Sequence, residues 1–265
     1  MRIGFIGAGR MGSPMVARLV EAGHEVRALG RSAEKRSVVA ALGAHAVADL
    51  AELSAQADIV VVCVFTDEQV RQVCLDGDLP GSMAPDSILV VHTTGSPLTV
   101  ETVAARGASS GVGVVDAPVS GGPHNAAAGE LTLFVGGTDA AVARVRPVLS
   151  CYGEPVLHVG PLGAGQKIKL INNALFAAHI GLLVGSVELG ARLGVPESTL
   201  LAALPHGSAG SRVLDIVAAG GSVTSFAKMA GEFVGKDVAA VRSIATDLGS
   251  DLGVLDDAID TAIKG

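Results

Sequence analysis

The sequence predicts an α/β fold, an N-terminal doubly wound sheet followed by a C-terminal all-α domain. Short apolar runs alternate with helix-like segments through about the first 160 residues, which is typical of parallel strands joined by helical crossovers. After Gly160 the pattern changes to one helical segment after another. We therefore place the domain boundary near Pro161 and expect domains over residues 1–161 and 162–265.

The first strand is predicted over Arg2–Ile6, and the glycine-rich turn G-A-G-R-M-G follows it directly. The first glycine permits a tight turn, the second lets the backbone approach a pyrophosphate, and the third lets the next helix pack closely. That helix, predicted over Ser13–Ala22, would direct its free N–H groups at the phosphates. The alternative is a glycine turn without a ligand. We expect a Rossmann-type dinucleotide site formed by Gly7, Ala8, Gly9, Arg10, Met11 and Gly12.

The second strand, Glu25–Leu29, ends where an NAD-selective site usually places Asp or Glu against the ribose 2′-hydroxyl. Gly30, Arg31 and Ser32 stand there instead. The glycine leaves room for a 2′-phosphate, and the guanidinium and hydroxyl groups can donate hydrogen bonds to it. These residues favour NADP over NAD, the alternative being that Arg31 is an ordinary solvated arginine.

Three further strands are predicted over Ile59–Phe65, Ile88–Val91 and Val112–Val115. Each is followed by a polar segment: Thr66-Asp67 begins a helix, residues 92–97 lead into a helix through Ala105, and residues 116–122 form a loop. Ligands of doubly wound sheets bind beyond the carboxyl ends of the strands. These polar segments are therefore candidates for ligand contacts.

A long apolar helix is predicted from Gly163 to about Leu193, with later helices over residues 197–204, 212–218, 229–248 and the C-terminal region. Spacings of three and four place Lys169, Asn172 and Asn173 on one face of the long helix. An ammonium group beside amides can hold a hydroxyl or carbonyl oxygen and exchange a proton with it. Lys169 is thus the catalytic candidate, although a lysine beside asparagines also occurs on solvated helix faces.

Composition excludes several other classes of protein. The 265 residues are 49% hydrophobic and 17% charged, as in a globular protein, and a net charge of −7 argues against general nucleic-acid binding. Three cysteines without a CxxC pair favour a reducing compartment, for which the cytoplasm is the default. The sequence shows no export signal, the apolar segment Ala174–Val187 is too short to span a bilayer, and no spacing suggests a metal site.

Four separated pieces of the chain resemble the β-hydroxyacid dehydrogenases, the family of 3-hydroxyisobutyrate dehydrogenase and tartronate semialdehyde reductase. The pieces are the turn at residues 7–12, D-A-P-V-S-G-G at 116–122, G-Q-K-I-K-L-I-N-N at 165–173, and Lys236-Asp237. The resemblance implies that Lys169 is catalytic, that Asn172 or Asn173 assists it, and that Lys236 lies near the nicotinamide. It also implies that Phe65, Thr66 and Thr94 lie along the cofactor.

The resemblance further implies that Ser120, Gly121 and Gly122 bind a substrate carboxylate. Their chemistry agrees, because a hydroxyl and unobstructed backbone N–H groups after a strand suit an anion, although a plain turn would look the same. Asp116 is expected to cap or brace its loop rather than touch substrate. His92 stands where the family commonly has an acid followed by Ser-Thr, and a hydrogen-bonded structural histidine is the safer interpretation.

We therefore expect an NADP-preferring oxidoreductase, with NAD as the alternative cofactor, acting on a small β-hydroxyacid or semialdehyde. The alternatives are an imine reductase and a non-catalytic NADP-binding scaffold, both weakened by the presence of Lys169. Relatives usually continue beyond the position of Gly265 with residues that help to enclose the site; here we expect either a more open pocket or a closing wall from a second subunit. The long apolar helix suggests a homodimer or homotetramer, although an intrachain core would also account for it.

Overall fold

The computed structural model describes residues 1–264, with side chains described for residues 1–229 and 234–261. The chain divides into two compact units, Met1–Lys169 and the residues from Leu170 onward. A single helix, Ala164–Arg192, begins in the first unit and continues into the second. The domain boundary near Pro161 stays a prediction.

A nine-stranded sheet forms the centre of the first unit, counted over the described residues. Its path is β3-β2-β1-β4-β5-β6-β8-β7, with β9 paired to β8. The first six strands on this path are parallel, whereas β8 runs antiparallel to β6 and β7. The strands are β1 Arg2–Ile6, β2 Glu25–Leu29, β3 His45–Val47, β4 Ile59–Val62, β5 Ile88–Val91, β6 Gly113–Asp116, β7 Val119–Ser120, β8 Leu131–Gly136 and β9 Gly153–Gly160.

The predicted α/β class is confirmed, and β1, β2 and β5 have the predicted bounds. The prediction for β4 was three residues too long, because the Val64 N–H donates to Thr93 Oγ1 (3.0 Å) and so leaves the ladder. The segment 116–122 was predicted as a loop, but Val119 and Ser120 form β7 against Leu133 and Thr132. β7 is only two residues long, too short to show the alternating pattern of a strand.

Both faces of the parallel strands are covered by apolar side chains. In β4, Ile59 and Val61 join one core cluster, whereas Val60 and Val62 join the cluster on the opposite face. This burial explains the continuous apolar runs in the sequence. The helices of this unit are α1 Gly12–Glu21, α2 Ala33–Ala41, α3 Leu50–Ser54, α4 Asp67–Arg71, α5 Leu79–Ser82, α6 Pro97–Ala108, α7 Pro123–Ala128 and α8 Asp139–Leu149, with a π-helical turn at Gln72–Asp76.

The second unit is helical, as the sequence predicts. Its helices are the continuing α9 Ala164–Arg192, α10 Glu197–Ala203, α11 Arg212–Gly220, α12 Val223–Asp247 and α13 Val254–Lys264, with a 3₁₀ turn at Leu204–His206. The start of α12 was predicted six residues too late, because Ser222 caps the helix by accepting from the Ser225 N–H. The Arg242 guanidinium joins α12 to α13 through 2.6 Å ion pairs with Asp256 and Asp260.

By length and composition alone, α9 could also cross a membrane. A single helix of this kind is weak evidence, because core helices of soluble proteins pass the same criterion. The expectation that no membrane is involved therefore stays a prediction.

A buried histidine follows strand β5, as the sequence suggested. His92 is 2% exposed, and its ring nitrogens lie within hydrogen-bond distance of the Ala117 carbonyl oxygen and of the Tyr152 hydroxyl, the latter at 2.8 Å. The carbonyl can only accept, so Nδ1 donates to it and Nε2 accepts from Tyr152. Burial lowers the pKa of His92 to about 4 and raises that of Tyr152. The prediction of a hydrogen-bonded structural histidine is confirmed.

The depressed pKa of His92 predicts a loss of stability in mild acid. Because the folded-state pKa lies below the ordinary value, the stability contributed by neutral His92 is present above pH 6.5 and is lost as the pH falls toward 4. The loss amounts to about 3 kcal/mol in the free energy of unfolding. Denaturant unfolding of the wild type and His92→Gln at pH 7 and 4.5 measures it. The variant should lose less stability on acidification, whereas the exposed control His45→Gln should follow the wild type; equal losses in all three proteins would contradict the assignment.

Candidate active site

The glycine-rich turn between β1 and α1 has the predicted conformation. Gly7 has a φ of +100°, and a Cβ there would overlap the Cys63 carbonyl oxygen. A Cβ on Gly12 would overlap the Gly7 carbonyl oxygen and the ring of Phe5. Packing within the protein therefore requires glycine at both positions.

Gly9 differs, because packing within the protein does not require glycine there. A Cβ on Gly9 would meet no atom within 4 Å, and its backbone lies outside the left-handed region. Alongside it, α1 begins without a side-chain cap, and Ala8, Arg10 and Met11 line the same turn. An open approach to backbone at an uncapped helix N-terminus suits a pyrophosphate. The residues present thus fit a dinucleotide.

The segment after β2 has an exposed Arg31 and Ser32. Ser32 Oγ accepts from the Lys35 N–H (3.2 Å) and so caps α2, while its hydroxyl proton remains available. A Cβ on Gly30 would lie 2.6 Å from Arg36 Cγ, and Arg36 donates to the Gly30 carbonyl oxygen (3.1 Å). The packing of Arg36 therefore requires glycine at residue 30, and room for a 2′-phosphate at this position stays a prediction.

An exposed aromatic ring follows β4. Phe65 is 70% exposed, an unusual degree for a large apolar side chain. Its backbone N–H donates to Gln69 Oε1 (2.8 Å), and Thr66 Oγ1 caps α4 by accepting from the Gln69 N–H. Both predicted cofactor residues thus lie in a short segment held in place by Gln69.

Asp116, at the end of β6, anchors the first turn of α9. Its side chain is fully buried, Oδ1 accepts from the Gly163 N–H and Oδ2 from the Gln166 N–H, each at 2.7 Å. Burial raises the pKa of Asp116, and the N–H donors act in the opposite direction. The bracing role expected from the sequence is confirmed, but Asp116 braces α9 rather than only its own loop.

Gln166 is a residue that the sequence reasoning missed. Its side chain is fully buried, with Oε1 accepting from the Gly95 N–H and Nε2 donating to the Thr93 carbonyl oxygen, both at 2.9 Å. These two bonds flank Thr94, one of the predicted cofactor residues. Gln166 lies within the piece of the family resemblance at residues 165–173, but neither periodicity nor spacing signals this contact.

The predicted carboxylate-binding turn is only partly available. The Gly122 N–H donates to Asn125 Oδ1 (2.9 Å), which uses one of the expected donors. Within the described part of the chain, neither the Ser120 hydroxyl nor the Gly121 N–H forms an intramolecular hydrogen bond. Gly121 is exposed and has a φ of +124°, a conformation that favours glycine. The Ser120 hydroxyl and the Gly121 N–H are thus better placed than the Gly122 N–H to donate hydrogen bonds to an anion.

Lys169 is partly exposed and lies one helical turn after Gln166 on α9. Asn172 and Asn173 follow it at spacings of three and four in the same unbroken helix.

In the second unit, Asn173 is buried and donates to Asp237 Oδ2 (3.1 Å), while Asn172 donates to Asn173 Oδ1 (3.3 Å). Burial lowers the pKa of the neighbouring Lys236. The catalytic and cofactor roles of these residues stay predictions.

Comparison with known proteins shows the family to which the chain belongs. The sequence profile for the NAD binding domain of 6-phosphogluconate dehydrogenase matches residues 2–160. The profile described as NAD-binding of NADP-dependent 3-hydroxyisobutyrate dehydrogenase matches residues 163–260. The fold and site define a nicotinamide-dependent oxidoreductase. More particularly, the chain belongs to the β-hydroxyacid dehydrogenase family.

Individual relatives agree with this class. The NAD-dependent L-serine dehydrogenase of Pseudomonas aeruginosa is 33% identical over 81% of this chain and 72% of its own length. A probable 3-hydroxyisobutyrate dehydrogenase of Mycobacterium tuberculosis is 36% identical over 75% of this chain and 67% of its own.

Among solved structures, the 3-hydroxyisobutyrate dehydrogenase of M. tuberculosis with L-serine has a TM-score of 0.88 at 28% identity, covering 99% of this chain and 92% of that chain. An imine reductase from Myxococcus stipitatus, at a TM-score of 0.66 and 19% identity over 99% of this chain and 92% of its own, shares the fold alone.

The two glycines of the nucleotide turn give a matched pair of variants. Gly9→Ala should leave the free energy of unfolding nearly unchanged, because its Cβ enters open space, yet weaken NADPH binding by about 10- to 100-fold. Gly12→Ala should destabilise the fold by about 1–3 kcal/mol, because its Cβ overlaps backbone. Denaturant unfolding and NADPH fluorescence titration measure both. Tight NADPH binding by Gly9→Ala would contradict the placement of the pyrophosphate.

Proposed function

We propose that this protein transfers a hydride between the nicotinamide of NADP and the β-carbon of a small hydroxyacid or semialdehyde, with Lys169 as proton donor and acceptor. One observation carries the proposal. Hydrogen bonds of Gln166 join the turn of α9 that precedes Lys169 to Asp116 at the carboxyl end of β6 and to the loop that follows β5. Ligands of such sheets bind at this edge.

The substrate class is inferred from the hydrogen-bond donors at Ser120 and Gly121 and from the substrates for which two relatives are named. Two relatives are named for L-serine and 3-hydroxyisobutyrate, and each of these molecules carries a carboxylate and a β-hydroxyl group. The Ser120 hydroxyl and the Gly121 N–H can hold such a carboxylate. With its carboxylate held there, a short acid presents its β-carbon a fixed distance away.

The Lys169 ammonium then exchanges a proton with the oxygen atom bonded to the β-carbon. In reduction it stabilises the developing alkoxide and donates a proton to it, and in oxidation the neutral amine accepts the hydroxyl proton. The Asn172 amide, on the same helix face, is suited to hydrogen-bond the same oxygen. When bound, the nicotinamide supplies or accepts the hydride. Asn173, which is bonded to Asp237, is better suited to positioning.

NADP is inferred as the preferred cofactor from the exposed side chains after β2. Arg31 presents a guanidinium without an intramolecular partner among the described residues, and Ser32 keeps a hydroxyl proton. Guanidinium groups bind phosphate oxygens through paired hydrogen bonds. Phe65 and Thr66 would contact another part of the dinucleotide, and Lys236 is retained as a contact near the nicotinamide on the family resemblance.

A homodimer or homotetramer is inferred from α9. Ile171, Leu175, Leu182 and Leu189 follow one another at spacings of four and seven, and each is at least 43% exposed. Such an apolar stripe is suited to cover by a second copy of the chain. The three free cysteines support the cytoplasm as the location. Independence from metals and from nucleic acids stays a prediction.

Substitution of Lys169 tests the proposed chemistry. We expect wild-type protein to reduce at least one small semialdehyde with NADPH, with a higher kcat/KM than with NADH. Lys169→Ala should lower kcat by about 10²–10⁴-fold, because the proton donor is lost, while NADPH binding persists. The exposed residue Lys167 on the same helix provides the control Lys167→Ala, which should resemble the wild type.

Absorbance at the nicotinamide band, measured over semialdehydes, β-hydroxyacids and cyclic imines, decides among the alternatives. Full activity of Lys169→Ala would contradict the catalytic assignment. Turnover of cyclic imines alone would favour an imine reductase. NADPH binding without turnover of any compound would favour a scaffold role.

A further inference from the structure

We propose that Gln166 is a positioning residue that couples the cofactor loop around Thr94 to the orientation of Lys169. The inference rests on the proposed function, since it assigns Thr94 to the cofactor and Lys169 to proton transfer. Gln166 alone would thus help to position both Thr94, which contacts the cofactor, and Lys169, which transfers the proton.

The side-chain amide of Gln166 holds two points of one loop. Its carbonyl oxygen accepts from the Gly95 N–H and its amino group donates to the Thr93 carbonyl oxygen, both at 2.9 Å. A flipped amide would oppose donor to donor and acceptor to acceptor, so one orientation alone satisfies the loop. Thr94 lies between the two bonds, and its backbone position is therefore set by Gln166.

The main chain of Gln166 is held just as firmly. Its N–H donates to Asp116 Oδ2 (2.7 Å), and the residue is fully buried. Lys169 follows three residues later in an unbroken α-helix, about 4.5 Å further along the axis. Because a helix moves as a rigid unit over one turn, a shift at Gln166 moves the Lys169 backbone as well.

The other hydrogen bonds of the loop around Thr94 connect it to elements other than α9. Asp67 accepts from the Ser96 N–H (3.1 Å) and from Thr99 Oγ1 (2.7 Å), and Thr93 Oγ1 bonds to the backbone of Val64. These bonds join the loop to α4, α6 and the end of β4. Gln166 joins it to α9, the helix that carries Lys169.

Two substitutions at Gln166 separate positioning from mere packing. Gln166→Leu removes both side-chain hydrogen bonds while keeping a side chain of similar volume. It should raise the NADPH Kd and lower kcat, each by about tenfold. Gln166→Glu keeps the acceptor for the Gly95 N–H but, when ionised, cannot donate to Thr93. When protonated it can do both, so its NADPH affinity should recover toward the wild-type value as the pH is lowered.

The control is Ser54→Ala on α3. Ser54 is also fully buried and hydrogen-bonded, to the Ser82 carbonyl oxygen at 3.1 Å. This variant should lose thermal stability while the NADPH Kd and kcat stay at wild-type values. Asp67, His92 and Asp116, the titratable groups in or bonded to these segments, are present in every protein compared. The ratio of variant to wild type at each pH therefore isolates position 166.

NADPH fluorescence titration at several pH values, thermal unfolding and steady-state kinetics provide the readouts. Wild-type NADPH affinity in Gln166→Leu, or a deficit in Gln166→Glu that does not shrink with falling pH, would overturn the inference. If wild-type protein binds NADPH but turns over no substrate, the proposed function fails, and the NADPH affinities still decide the role of Gln166 in the cofactor loop.

Discussion

The pair of hydrogen bonds that Asp116 accepts from the first turn of α9 is the interaction on which the rest of the site depends. The N–H groups at a helix N-terminus have no partners within the helix, and a buried carboxylate satisfies two of them here. Because Asp116 closes β6, the bonds fix the start of α9 relative to the sheet. The positions of Gln166 and Lys169 follow from that anchor.

The Asp116 carboxylate fits against the α9 turn only because Gly136 and Gly165 beside it have no side chains. A Cβ on Gly136 would overlap Asp116 Oδ1, and a Cβ on Gly165 would lie 2.8 Å from Oδ2. The carboxylate therefore lies in a cradle of glycine backbone, where it is desolvated but hydrogen-bonded. Its raised pKa shows that desolvation outweighs the N–H donors. Removing this carboxylate would leave the N–H groups of Gly163 and Gln166 buried without their partner, so Asp116 holds the geometry of this segment.

Local pattern predicted the parallel half of the sheet well, because strands buried on both faces are continuous apolar runs between glycine or polar punctuation. It predicted neither β8 nor β9. Glu154 and Pro155 lie within β9 and are unfavourable in the centre of a sheet, so the sequence there resembles a loop. The pairing of β8 with β7 nevertheless positions the turn at Ser120.

Within the site, residues whose role follows from a motif were easier to predict than residues whose role depends on a partner distant in sequence. The nucleotide turn, Asp116 and Lys169 carry signals in spacing or resemblance. Gln166 acts through the loop at Thr93 and Gly95, more than 70 residues earlier, and no local pattern encodes that contact. The same holds for Gly30, whose reason is the packing of Arg36.

A crystal structure of the protein with NADPH and an unreactive β-hydroxyacid analogue would test the central claim most directly. The account predicts the analogue's carboxylate on the Ser120 hydroxyl and the Gly121 N–H, with Lys169 Nζ about 3 Å from the oxygen on the β-carbon. An analogue bound with its carboxylate elsewhere and its β-oxygen beyond hydrogen-bond reach of Lys169 would contradict the account.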